Sequence, residues 1–162
     1  MRRFSYLSAV LLAFVVSVGR AGDPPPIKEG LWSIHMQSTD NPGNKKTEGT
    51  RSICRTHESD KQAQAKAKSV KGCTMTSETV SGNKYSNAMR CEIQGSVMQT
   101  TSVTTFQSDT AFHSESHTST NPPLYGVAES TMIMDQKYVG SCPSGMNPGD
   151  LMSADGKITH VR

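Results

Sequence analysis

The stretch from Cys73 to Cys91 constrains the fold of this chain more than any other. Two runs rich in strand formers are broken at Ser81, Gly82 and Asn83, the small polar residues that a short hairpin loop asks for. With Gly82 at the tip, opposed residues carry numbers that sum to 164, and Cys73 then faces Cys91. Directly opposed residues of an antiparallel pair have Cα atoms about 4.5 to 5.5 Å apart, inside the disulfide window of roughly 4.4 to 6.8 Å. The register itself proposes the bond.

The chain opens with the pattern of an export signal. Arg2 and Arg3 precede an apolar run from Tyr6 to Val18, and Gly19 and Ala21 place small residues at the −3 and −1 positions of a cleavage site. A membrane anchor needs ~20 apolar residues, more than this run supplies. The expectation is a signal peptide over 1–21, cleaved after Ala21, and a single disulfide-stapled, β-rich domain over 22–162 in the periplasm or outside the cell. No Cys follows the apolar run, so a lipid-anchored form is not expected.

The leader also carries the charge imbalance. The sequence has 17 basic and 14 acidic residues. Without Arg2, Arg3 and Arg20 the two signs balance, and the remaining lysines form no dense patch. Neither phosphate neutralisation on a nucleic acid nor a polybasic membrane contact is expected.

Large hydrophobes are sparse, with one Trp in the chain, while Ser and Thr fill 34 positions after Ala21. A core of this kind buries little apolar surface, and disulfides are the usual supplement in an oxidising compartment. Four cysteines allow three connectivities. The hairpin register favours Cys73 with Cys91, which leaves Cys54 for Cys142. In the chain-entropy model the short loop is worth about 3 kcal/mol and the long one about 4.5 kcal/mol. The cysteine spacing holds no C-x-x-C pair, which argues against zinc.

In chain order, the proline-rich lead Asp23–Pro26 serves as a spacer. Leu31 to Ser38 alternates as a half-buried strand, with Trp32, Ile34 and Met36 on one face. A turn around Pro42 and Gly43 leads to a second strand, Thr47 to Cys54. Thr56 to Ser69 reads as one helix, with Thr56 as its cap and Ala63, Ala65 and Ala67 as a thin apolar face against the sheet. Beyond the hairpin, Ser96–Phe106, Thr110–Thr118 and Leu124–Val139 read as strands, separated by Gln107–Asp109 and by the break at Asn121, Pro122 and Pro123. Asp155 and Gly156 suggest one more small turn. The fold class expected is α+β: a predominantly antiparallel β meander, a curved sheet or incomplete barrel, with one helix and two disulfides.

These residues together resemble a known family. Ile27, Lys28, Glu29, Gly30, Leu31 and Trp32, then Cys54, Cys73 and Cys91 at these intervals, then Gly140, Ser141, Cys142 and Pro143 with Gly145, Met146, Pro148, Gly149 and Asp150 behind them, look like a bacterial exported family. It is catalogued as domain of unknown function 3617. The resemblance covers nearly the whole chain after the leader. Its Trp is often followed by an acidic residue; here Ser33 stands there, so no role of that carboxylate carries over. The resemblance implies an exported, disulfide-bonded protein and implies no activity.

Several constellations bear chemistry. His113, Glu115 and His117 fall at every second residue of a strand and share one face. The neighbours His113 and Glu115 are within reach of one metal ion, while the outer pair is about 13 Å apart, and the alternative is a solvated polar face. Met132 and Met134 share a face as well, and thioethers suit Cu(I) as readily as they fill a core. Gly30, Leu31 and Trp32 form a G-x-W that is similar to the lipocalin signature, in which the Trp helps to close a ligand-holding barrel; the alternative is Trp32 as the largest core side chain. No G-x-S-x-G or H-E-x-x-H is present. The expectation is a non-catalytic envelope binding module without a cofactor, whose partner is an apolar small molecule, copper or an envelope protein. Trp32, Met75, Met89, Ile93, Met132 and Met134 are the side chains expected to line a concave face. The competing expectation is a structural or protein-interaction domain of the periplasm with no small-molecule cargo.

Overall fold

A computed structural model describes residues 24–161; the leader read at 1–21 lies outside them. The described chain forms strands β1 (Gly30–Asn41) and β2 (Lys45–Arg55), helix α1 (His57–Lys68), then strands β3 (Cys73–Ser81), β4 (Lys84–Ile93), β5 (Ser96–Ser108), β6 (Ala111–Leu124) and β7 (Val127–Gly140), with short β8 (Leu151–Ser153) and β9 (Ile158–Thr159). All pair antiparallel in one sheet of order β3-β4-β5-β6-β7-β1-β2-β8-β9, whose two ends do not join. The expected open meander is present, with β1 returning to pair beside β7.

The hairpin reaches its staple by a route that differs from the simple one. The turn holds two residues, Gly82 and Asn83, with Ser81 opposite Lys84, so pairs near the tip sum to 165. Gly82 has φ +59, the positive value that the first central position of a type II′ turn requires. A bulge between Met75 and Ser77 absorbs one residue, and below it Met75 faces Met89 and Cys73 faces Cys91. Both expected disulfides form, Cys73–Cys91 with Cα atoms 4.0 Å apart and Cys54–Cys142 with Cα atoms 5.5 Å apart.

Two further expectations are corrected. Pro122 and Pro123 do not break the chain: β6 runs on to Leu124, and the reversal comes at Tyr125 and Gly126, both with positive φ. Prolines fit there because the β6–β7 pairing skips from Ser119 to Leu124, so no ladder bond is lost. The helix does not pack through alanines either. Ala63, Ala65 and Ala67 are all exposed, since residues two apart point to different sides of a helix.

What anchors α1 is polar. Thr56 caps it, its hydroxyl accepting from Ser59 N at 3.1 Å while the Ser59 hydroxyl accepts from Thr56 N at 2.9 Å. The His57 amide donates to Glu29 Oε1 at 2.8 Å. Arg55 Nε, just before the cap, bonds Asp60 at 3.0 Å, and Lys68 at the far end pairs with Glu78 on β3 at 2.8 Å. The helix therefore straps β2 to β3, six places apart in the sheet order.

The core sits at one end of the sheet. Trp32 is wholly buried (0 % exposed) and packs with Ile27 and Phe112, flanked by Ile53, Phe106 and Tyr138. Its ring centroid lies 5.3 Å from that of Phe112 and 6.2 Å from that of Tyr138, and its indole N–H donates to Lys28 O at 2.8 Å. Gly30 is required beside it: with φ +137, an added Cβ would lie 2.4 Å from Gly140 O.

Candidate functional site

Register decides which side chains share a face, because directly paired residues point the same way and alternate residues point together. Tyr85, Thr104, Ser114, Met134 and Met36 form one continuous row across β4, β5, β6, β7 and β1. The next row is Asn87, Ser102, Ser116, Met132 and Ser38, and the one beyond holds Met75, Met89, Thr100 and Thr118. Continuing in the opposite direction, the same face reaches Phe106, Phe112, Gln136 and Ile34, then Tyr138 and Trp32. This is the inner face, the side over which α1 lies.

All six side chains expected on a concave face are therefore on one side of the sheet, and Met36 and Met98 join them. Six of the eight methionines that follow Ala21 in the sequence line this single face. They form two groups: Met36 opposite Met134, with Met132 two along, and Met75 opposite Met89, with Met98 on the adjoining strand. Between the groups β5 and β6 contribute Ser and Thr, whose small side chains leave a shallow floor. Four of these hydroxyls bond in pairs across the two strands, Thr100 with Thr118 and Thr104 with Ser114, both at 2.9 Å. Paired in this way, these four hydroxyls lose less on leaving water than free ones would.

The core covers only the Trp32 end of this face. Met132 is 37 % exposed and Met134 is half-buried. Where the uncovered part meets the helix, a cavity of about 470 Å³ opens, lined by Pro24–Ile27, Asp60, Lys61 and Gln64 on one side and by Tyr85, Thr104, Phe106 and Phe112 on the other. Arg55 stands on its wall. The guanidinium carbon lies 5.3 Å from the Phe112 ring centroid and 5.7 Å from that of Trp32, with Nη1 donating to Gln136 Oε1 at 3.0 Å and Nε to Asp60. The volume is within the range of small-molecule pockets, roughly 300 to 1,000 Å³. Trp32 is the floor beneath Arg55 and does not itself line the cavity, while Met132 and Met134 lie on the uncovered face.

The opposite, outer face carries the polar row. His35, Asp135 and His113 are consecutive partners across β1, β7 and β6. His113 Nδ1 lies 2.8 Å from Asp135 Oδ1 and its Nε2 3.0 Å from Glu115 Oε1. Those two carboxylates, Asp135 first, hold the imidazole above its ordinary pKa against the opposing effect of burial. His117 is exposed and two residues further on, outside this cluster, as its spacing along the strand requires. Among the described residues no three His, Cys, Asp or Glu side chains converge as a metal cage. No helix among the described residues is long and apolar enough to cross a membrane.

Two residues of structural weight were not legible from sequence. Arg55 gave no signal because its partner Gln136 lies 81 residues away. Asp150 is 2 % exposed and takes hydrogen bonds from Asn147 N (2.7 Å) and Val161 N (3.1 Å), with His160 Nδ1 at 2.7 Å. These contacts, the Asn147 amide foremost, hold its carboxyl below the usual carboxylate range. Cys54 N donates to the backbone oxygen of Asp150 at 3.1 Å, so this residue holds the tail by its carboxylate and joins it, through its backbone, to the strand that carries the Cys54–Cys142 bridge.

No curated protein matches the chain. The model of one family, described as Protein of unknown function (DUF3617), matches residues 27–142, from the first buried residue of the core to the last cysteine. The chain belongs to this family.

Proposed function

We propose that this protein is a non-catalytic binding module of the bacterial cell envelope, exported by cleavage after Ala21, which carries an apolar small molecule on the inner face of its sheet. One observation carries the reading: an uncovered face of methionine, threonine and serine runs into a cavity of about 470 Å³ under the helix. Long, polarizable methionine side chains adapt to irregular apolar shapes. Three of the titratable groups at the cavity, Arg55, Asp60 and His57, are engaged by neighbours, which suits holding a ligand better than moving a proton. Arg55 pairs with Asp60, and both ring nitrogens of His57 are occupied, by Ile27 O at 2.8 Å and Glu29 Oε1 at 3.4 Å. The disulfides fit an oxidising compartment.

Native mass spectrometry of protein recovered from the expressing cells' envelope tests this. The expected result is a non-covalent adduct of a few hundred daltons that is shed on collisional activation. Recovery of bare protein that also fails to take up any apolar probe would contradict it. Copper is the second reading, favoured by the opposed Met36 and Met134 with Met132 beside them. Anaerobic titration with Cu(I) against a chromogenic chelator decides it: competition at one equivalent supports copper, and none rules it out.

A further inference from the structure

The cavity wall is apolar for most of its area but not electrically neutral. Arg55 and Lys61 bring two positive charges to it and Asp60 one negative. Arg55 is held on an aromatic shelf, half-buried, with Nε and Nη1 engaged; Nη2 is bonded by no described residue. Lys61 has no ion-pair partner among the described residues, in contrast to Lys68 at the other end of the same helix. A cavity with one uncompensated positive charge, beside a run of methionines and small hydroxyl side chains, matches an occupant with one negative charge and a slender apolar body. That run has a preferred direction too. From Phe112 at the cavity, Ser114, Ser116 and Thr118 follow along β6, a run of about 20 Å at strand rise, with Met132 and Met134 on one flank and Thr100, Ser102 and Thr104 on the other. That is the shape of a long alkyl chain.

We infer that the ligand is a single-chain, monoanionic amphiphile of the fatty-acid type, whose carboxylate meets Arg55 and Lys61 in the cavity and whose alkyl chain lies along β5 and β6 between the methionine groups. The inference rests on the binding reading above and adds the head group, the tail and their orientation. A carboxylate at Arg55 Nη2 gains a charge-assisted hydrogen bond beside aromatic rings that keep water away. The tail displaces water from methionines and from the paired hydroxyls of Thr100 with Thr118 and of Thr104 with Ser114.

The test uses the purified protein, stripped of retained lipid by detergent exchange, loaded with the neutral fluorophore N-phenyl-1-naphthylamine. Dodecanoate, dodecanol and dodecyltrimethylammonium compete for it at concentrations below micelle formation. The inference expects dodecanoate to displace the probe at least tenfold more effectively than dodecanol, and the cation to be weakest. Arg55→Gln is expected to abolish the preference for the acid. Because Arg55 also packs on the core, Lys61→Gln, at an exposed position of α1 on the cavity wall, is the second variant, and it is expected to shrink the preference severalfold with an unchanged melting temperature. Equal displacement by acid and alcohol, or a stronger effect of the cation, would overturn the head-group assignment while leaving apolar binding intact. If the probe itself does not bind, the binding reading fails before the head group is tested.

Discussion

Gly30 shows how a single residue links the family's motif to physics. Its φ of +137 and the 2.4 Å approach of a would-be Cβ to Gly140 O leave no room for any side chain. Gly30→Ala should lower stability by roughly 2 kcal/mol or more, read as a fall in the denaturation midpoint at constant m value. Trp32 was legible as the largest core side chain because the alternation on its strand points inward. Arg55 was not, since nothing local marks an arginine that stacks on Trp32 and Phe112. His113 offers a second test on the outer face. Its raised pKa means that its pairing with Asp135 and Glu115 stabilises the fold below the ordinary imidazole pKa, and that this contribution is lost as pH rises through the raised value. NMR titration should find His113 above 6.5 in the native protein, and Asp135→Asn should bring it down; an unmoved value in that variant would contradict the assignment.

At the level of elements, α1 and the stapled hairpin behave differently from what their sequences suggest. Thr56 announced the cap correctly, but the alanines misled, because a helix can be tied down by its ends. The Lys68–Glu78 pair is the outer tie, and Lys68, ahead of Tyr85, holds the Glu78 carboxyl below its ordinary pKa. A depressed carboxylate contributes stability at neutral pH that is lost as pH falls through the folded-state value. Glu78→Gln should weaken amide protection in the last turn of α1 by about 0.5 kcal/mol at neutral pH and have little effect near pH 2, as hydrogen exchange can measure. In the hairpin, the two-residue turn alone would set Cys73 opposite Glu92, and the bulge at Thr76 corrects it. Deleting Thr76 should therefore straighten β3 and still let Cys73 meet Cys91. Free thiols in that variant would show that the bulge does more than restore register.

For the whole molecule, much of the architecture was legible because it follows from local signals: alternating residues, turn glycines and four cysteines. The return of β1 to β7 was not legible, since it joins residues about a hundred positions apart, and neither was the cavity, which needs the helix placed over β4 to β6. The methionine face was half legible. Parity along each strand was visible in the sequence, but only the register across five strands gathers Met36, Met75, Met89, Met98, Met132 and Met134 on one side. The central claim is that this face and its cavity hold an apolar ligand, and the most direct measurement is saturable binding of N-phenyl-1-naphthylamine to the lipid-stripped protein and to Thr104→Trp, whose indole would fill the cavity beside Phe106. The account predicts one-site binding to the native protein and its loss in a variant that keeps the native circular dichroism. No saturable binding, or equal binding to both proteins, would contradict it.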